Sequence, residues 1–246
     1  MRVFKSTYNI NKISNDEFLA YTHLGLGDHI VCNGLINYFS ELNKKIYLPV
    51  KSRDLSNIKY LYKDNSKVEV FKIEHESEVN DINTFAKKMN LQILKVGFKK
   101  RKPPFNKSFY DQFHIPYKFS FEKFNVSRDL EKEDKLLVHL KNYYKVKGQY
   151  QLIHNQSSYG KVVLNTSNNL PKIYVDKETD LYRNIFFYIK VIENATEIHC
   201  LDSSFLHLVE RIQTNGTLFF HDIKKAGQKG AEVYLEKEWN VLNYFD

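Results

Sequence analysis

Cysteine is scarce in this chain: Cys32 and Cys200 are the only two in 246 residues, one inside a predicted helix and one at the end of a predicted strand. That scarcity excludes a disulfide framework or a cysteine-based metal cluster, and both thiols read as small buried apolar side chains. Long apolar runs are also missing, since none approaches the roughly 20 residues that span a bilayer. Residues 1–11 are polar and carry lysine, without the apolar stretch of a secretory leader. A cytoplasmic protein without a transmembrane segment, at most in peripheral contact with a membrane, is therefore expected. Asn-x-Ser/Thr tripeptides such as Asn125-Val126-Ser127 then carry no glycosylation meaning.

With 42% hydrophobic and 15% aromatic residues, the chain can bury a substantial core. The formal charge of +8 invites a nucleic-acid reading, but the lysines are scattered, and only Lys99-Lys100-Arg101-Lys102 forms a dense run. Nucleic-acid binders concentrate their charge on one face, so no nucleic-acid partner is expected. The excess suits a protein that holds a diphosphate or works near an anionic lipid or glycan. The dense run itself, followed by Pro103-Pro104, reads as a solvated loop, with contact to an anionic acceptor as the alternative.

From Phe18 to about Phe98, short apolar runs alternate with helical patterns. Strands are predicted at residues 18–21, 45–50, 67–73 and 91–98, with helices at 28–42, 54–62 and 78–89. That is the rhythm of a parallel sheet with crossover helices. A short aromatic helix over 109–115 and an irregular aromatic stretch follow. After a charged helix at 129–140, the rhythm resumes: strands at 150–154, 173–175, 197–201 and 217–221, helices at 181–192 and 203–212, and a last strand at 239–242. The pattern predicts two α/β units with a junction near residues 116–128, taken as domains 1–118 and 119–246, with the C-terminal tail able to cross back to the first.

Three strand-to-turn junctions could carry chemistry. In Thr22-His23-Leu24-Gly25-Leu26-Gly27-Asp28, a buried strand meets a glycine turn that delivers a carboxylate to a helix start. Gly25 and Gly27 allow positive φ or close backbone approach, and Asp28 is either an N-cap or a group at the ligand-binding edge of a sheet. The turn matches only the first two glycines of G-x-G-x-x-G, with Ile30 in the third place. The next strand runs into Lys51, Ser52 and Arg53 rather than a ribose-binding acid, so an NAD(P)-dependent oxidoreductase is the less favoured reading.

The second junction is Asp202-Ser203-Ser204-Phe205-Leu206-His207, where a strand ends and a helix opens with two hydroxyl residues. Free N–H groups and the helix dipole suit an anion there, and His207 lies one turn in. The alternative is an N-cap followed by a core stripe. The third is His154–Lys161, a polar loop with Ser157, Gly160 and Lys161 that could bind phosphate through amides and a point charge, or merely connect.

Taken together, His23-Leu24-Gly25-Leu26-Gly27-Asp28 resembles the Leu-Gly-Asp turn of heptosyltransferase-like glycosyltransferases, and Asp202-Ser203-Ser204-Phe205-Leu206-His207 resembles their Asp-Thr-Gly-x-x-His helix start. The resemblance implies a glycosyltransferase-B fold, two Rossmann-like domains facing each other across a cleft, and sugar transfer from a nucleotide-diphosphate donor to a hydroxyl of a glycan or lipid-linked acceptor. It implies that Asp28 is the general base, that Gly25 and Gly27 keep the turn open, and that Asp202, Ser203, Ser204 and His207 surround the diphosphate with Ser157 and Lys161 nearby. In that superfamily helix termini and side chains meet the diphosphate charge, so neither metal nor cofactor is expected, and the chain contains no Asp-x-Asp. Attack opposite the leaving group implies inversion. Ser204 replaces the family's glycine, and the chain is shorter than typical members, which keeps a non-catalytic nucleotide-sugar or glycan binder of the same fold as an alternative.

Overall fold

The computed structural model describes residues 6–42, 44–99, 104–157, 160–166, 169–223 and 233–244. The chain forms two compact units, Met1–Ser127 with Ala231–Tyr234, and Arg128–Gly230 with Leu235–Asp246. Among the described residues no helix is long and apolar enough to cross a membrane.

In the first unit, strands β1 (Ser6–Thr7), β2 (Glu17–Tyr21), β3 (Lys45–Lys51), β4 (Val68–Ile73) and β5 (Gln92–Lys95) form one sheet in the order β1-β5-β2-β3-β4. All its pairings are parallel. Crossovers are made by α1 (Leu26–Glu41), α2 (Leu55–Leu61) and α3 (Glu78–Met89). Parallel strands are covered on both faces and so read as continuous apolar runs; Phe18, Leu19 and Ala20 are fully buried. Each such large side chain contributes about 1.5–3 kcal/mol of burial. Helix α1 is buried on most of its surface, from His29 through Ile36. At Gly34 a Cβ would lie 2.1 Å from the Phe119 carbonyl oxygen, so the close approach of α5 (Phe119–Glu122) depends on that glycine. The predicted aromatic helix starts earlier than its spacing suggested: α4 runs Phe105–Asp111, because Pro104 supplies the extended residue before its first turn.

The second unit begins with α6 (Leu130–Tyr143), capped by the Asp129 carboxylate on the Lys132 N–H at 3.1 Å. Arg128 bridges the fully buried Glu133 of α6 (2.5 Å) and Glu193 of α7 (Ile189–Glu193; 2.6 Å). Its sheet, in the order β12-β11-β10-β6-β9, contains β6 (Gln151–His154), β9 (Lys172–Tyr174), β10 (Glu197–Cys200), β11 (Thr217–Asp222) and β12 (Trp239–Asn243). Every pairing is again parallel, and α8 (Ser204–Arg211) connects β10 to β11. The segment expected as a single helix over 181–192 is split into a 3-10 turn, Ile185–Tyr188, capped by the Asn184 side chain, and the short α7. The last predicted strand is β12, an edge strand of this second sheet, while Tyr234 belongs to the first unit, where Asn106 pairs with both its backbone N–H (3.0 Å) and C=O (2.8 Å).

One face of the second sheet carries a directional hydrogen-bond chain. The Asn165 N–H donates to the Tyr244 hydroxyl (2.7 Å), which donates to His221 Nδ1 (2.8 Å). His221 Nε2–H then reaches His199 Nδ1 (2.9 Å), and His199 Nε2–H faces the Glu197 carboxylate (3.4 Å). Run in this direction, the chain has both imidazoles neutral, each accepting at Nδ1 and donating from Nε2. Burial lowers the pKa of both, His221 to about 4, with the neighbouring His199 adding to the effect.

Since an unfolded histidine titrates near pH ~6.5, the unfolded chain binds the extra protons in acid. The stability from this network is therefore full above that value and lost as pH falls toward about 4. In an NMR titration of the folded protein the His221 ring should titrate near pH 4; a midpoint at the unfolded value would refute the chain.

Candidate functional site

Open α/β sheets bind ligands outside the carboxyl ends of their strands, where the strand order reverses direction. In the first sheet that point lies beside β2, whose neighbours β3 and β5 are reached in opposite directions. The chain leaves β2 at Tyr21 and turns through Thr22–Gly25. The positive φ of this turn falls on Leu24 (62°), whose N–H rests on the Thr22 hydroxyl (3.4 Å), rather than on either glycine. Gly25, extended at φ −76°, is the helix N-cap, and Asp28 is the third helical residue. The Asp28 carboxylate reaches back to accept the Gly25 N–H (3.1 Å), one half of a capping box. A Cβ on Gly25 would stand 2.6 Å from Asp28 Oδ2, so the glycine is there for space. Gly27 lies inside the first turn of α1.

Three strand- or helix-terminal residues collect at the same sheet edge without a sequence motif to announce them. The Tyr21 hydroxyl donates to Glu78 Oε1 (2.5 Å), and Glu78 Oε2 faces Lys51 Nζ at 3.4 Å. Burial first, then Glu78, raises the Tyr21 pKa far above its ordinary value. His29, next to Asp28, is fully buried, and neither ring nitrogen has a hydrogen-bond partner among the described residues. Burial and the Lys51 charge lower its pKa to about 3, so it is neutral. His23 stacks on Phe98 (4.2 Å between ring centroids) and bonds the Gly97 carbonyl through Nε2 (2.9 Å).

In the second sheet the order reverses beside β6, between β10 and β9. Strands β6 and β10 end level, with Cys200 opposite His154. Ser203 is the N-cap of α8, its hydroxyl accepting from the Leu206 N–H (3.4 Å) and lying 3.2 Å from His154 Nδ1. His154 stacks on Phe205 at 5.0 Å, and burial lowers its pKa to about 4. Asp202 and Ser204 flank the cap, both half-buried. His207 follows one turn later, its pKa lowered to about 3 by burial and by Arg211. A neutral His207 can donate one N–H, but at neutral pH it brings no charge to an anion.

The structure thus gathers Asp202, Ser203, Ser204 and His207 at one helix start, and adds His154, which the sequence reading passed over within a longer motif. A histidine ending a predicted strand was the available signal. Lys161 stands elsewhere: it ends a two-stranded antiparallel ribbon, β7 (Gln156–Ser157) and β8 (Gly160–Lys161), and its amine pairs with Asp176 Oδ2 at 3.0 Å. Ser157 is paired with Gly160 across this ribbon. Ser158 and Tyr159 lie outside the described residues, as do Lys100, Arg101 and Lys102 of the basic run. Both cysteines are buried. Among the described residues no three His, Cys, Asp or Glu side chains converge as metal ligands.

No protein-family model matches the chain, and no curated protein does. A solved structure does: the crystal structure of a glycosyl transferase family 9 protein from Veillonella parvula DSM 2008 is similar with a TM-score of 0.58, covering 94% of this chain and 87% of that one at 8% identity. The likeness is one of fold. Two parallel five-stranded sheets with alternating helices make this an α/β chain of two Rossmann-like domains of the glycosyltransferase-B type.

Replacing Gly25 by Ala should cost about 1–3 kcal/mol, the usual penalty of forcing a methyl group into occupied space. Denaturant unfolding of Gly25→Ala, Asp28→Ala and the double variant measures it, and the double variant should recover part of the loss. A Gly25→Ala protein as stable as the parent would show that the carboxylate does not sit over the glycine.

Proposed function

We propose that this chain is a glycosyltransferase that moves a sugar from a nucleotide-diphosphate donor to a hydroxyl acceptor, with inversion and without a metal. The observation that carries the reading is the pair of strand-to-helix junctions, each at the point where its sheet reverses order: one presents a carboxylate, the other an anion-binding helix start. The fold shared with a glycosyl transferase family 9 structure supports it.

Glycosyl transfer needs a leaving diphosphate stabilised and a proton taken from the attacking hydroxyl. In this reading the departing diphosphate lies at the start of α8, where backbone N–H groups, the Ser203 and Ser204 hydroxyls and the His207 N–H are donors fixed before the reaction begins. Asp202 borders that site. Asp28 is the general base, and its cap bond to the Gly25 N–H orients the carboxylate while the hydroxyl attacks the anomeric carbon opposite the leaving group. The acceptor is a glycan or a lipid-linked glycan. Lys161, held by Asp176, contributes beside the donor rather than on the diphosphate itself.

Asp28→Asn should lower turnover by about 10²–10⁴-fold, the range for loss of a general base, while nucleotide-diphosphate affinity measured by calorimetry stays within about twofold. Full transfer activity in that variant would remove Asp28 from the mechanism. Ser203→Ala should weaken nucleoside-diphosphate binding by about tenfold, the equivalent of one charge-assisted hydrogen bond at 1.5–3 kcal/mol less the partial replacement by water. Unchanged affinity would move the diphosphate away from α8.

A further inference from the structure

Among the described residues, five that are not glycine have positive φ: Leu24, Asn90, His114, Lys145 and Arg183. The last four are exposed, and Asn90 and Lys145 stand at or just past helix ends, where a left-handed residue is ordinary. Leu24 differs on both counts. It is fully buried, at φ 62°, and it precedes a helix, α1. A leucine there carries the steric penalty of the left-handed region, which a glycine escapes. The next residue is a glycine, yet Gly25 is extended. A turn that had only to join β2 to α1 would be served by glycine at the left-handed position.

The Leu24 side chain accounts for the exception, because it lies in the buried cluster of the first unit with Leu19, Tyr47, Ile82 and Ile93. Its N–H rests on the hydroxyl of Thr22, itself fully buried. Between them, His23 is seated over Gly97, where a Cβ would stand 2.9 Å from His23 Cδ2 and 2.2 Å from Phe109 Cε1. Each of the three turn residues is thus fixed by a different neighbour. Strain held in place by surrounding packing is found where a site is pre-organised.

We propose that Leu24 is a positioning residue: anchored in the core, it holds the turn in its left-handed form, so that the Gly25 N–H points at Asp28 and fixes the rotation of that carboxylate. The backbone angles of Leu24 set the plane of the peptide that follows, and the N–H of that peptide belongs to Gly25. It is the group that Asp28 Oδ2 accepts at 3.1 Å. A misplacement of ~1 Å in a reacting group costs about 10²-fold in rate. The tie to catalysis rests on the glycosyl-transfer reading given above, in which Asp28 is the base.

Leu24→Gly, Leu24→Ala and Leu24→Met separate this role from a mere place in the core. Alanine keeps the left-handed penalty and glycine relieves it, so denaturant unfolding should find Leu24→Gly the more stable of the two by about tenfold in its unfolding constant, the reverse of the usual order. In hydrogen exchange followed by NMR, the Gly25 N–H should lose about tenfold or more of its protection relative to Leu19 in β2 in Leu24→Gly, and keep it in Leu24→Met. Release of nucleoside diphosphate from UDP-glucose, GDP-mannose or ADP-glucose should follow the exchange and not the stability. Its kcat should fall about tenfold or more in Leu24→Gly with KM within about twofold, and Leu24→Met, which keeps the anchor, should restore it to within about threefold. Full Gly25 protection or parent kcat in Leu24→Gly, or a Leu24→Ala chain more stable than Leu24→Gly, would overturn the assignment. If Asp28→Asn releases nucleoside diphosphate as fast as the parent while the exchange result holds, the glycosyl-transfer reading fails and Leu24 remains the anchor of the Gly25–Asp28 bond.

Discussion

The level ending of parallel strands is the constraint from which the rest of this molecule follows. Parallel hydrogen bonding fixes one register for each sheet, so β6 and β10 stop together at His154 and Cys200. In the first sheet β2 ends at Tyr21 and β3 runs two residues past that level to Lys51, at the same end of the sheet. At that edge the ladder ends, and the backbone must find other partners. The turns solve this with side chains: Thr22 for the Leu24 N–H, Asp28 for the Gly25 N–H, and Ser203 for the Leu206 N–H. Groups recruited to finish the backbone are therefore the same groups available to a ligand. That coincidence explains why capping and binding are hard to tell apart from composition alone.

Charge is distributed in a way that the formal total of +8 does not convey. His29, His154 and His207 stand at or near the strand ends with pKa values pressed down to between about 3 and 4, so all three are neutral at physiological pH. Lys161 is tied to Asp176 and Lys51 to Glu78. A diphosphate at the start of α8 would thus be met by oriented dipoles and neutral donors rather than by a cluster of cations. Dipoles held by a folded backbone need no rearrangement when charge develops on a leaving group, which is the form of stabilisation that favours a transition state over a ground state.

The fold was largely legible because parallel-sheet strands are short, apolar and regularly interrupted. Leu48 and Ile198, buried at the centres of their strands, and the Glu78–Met89 helix stand where periodicity placed them. Local chemistry moved the boundaries: Asn184 starts one predicted helical segment late by capping a 3-10 turn, and Pro104 starts another sooner. Of the candidate sites, the Asp202–His207 start was readable because its members are contiguous in sequence around one helix N-cap. The Tyr21–Glu78–Lys51 cluster was not, since its members lie 57 and 27 residues apart in pairs that only the strand order brings together. Lys161 was expected near the diphosphate from its polar loop and the family resemblance; the ribbon formed by β7 and β8 pairs it with Asp176, a partner 15 residues on that the loop itself does not announce.

Alternation along a single strand gives one short segment two unlike surroundings. Successive side chains of β6 point to opposite faces, so Leu152 and His154 share one side and Ile153 takes the other. On the His154 side the strand meets a helix N-terminus, where unsatisfied N–H groups favour an anion. On the Ile153 side it meets Leu164 and Tyr174, an apolar surface.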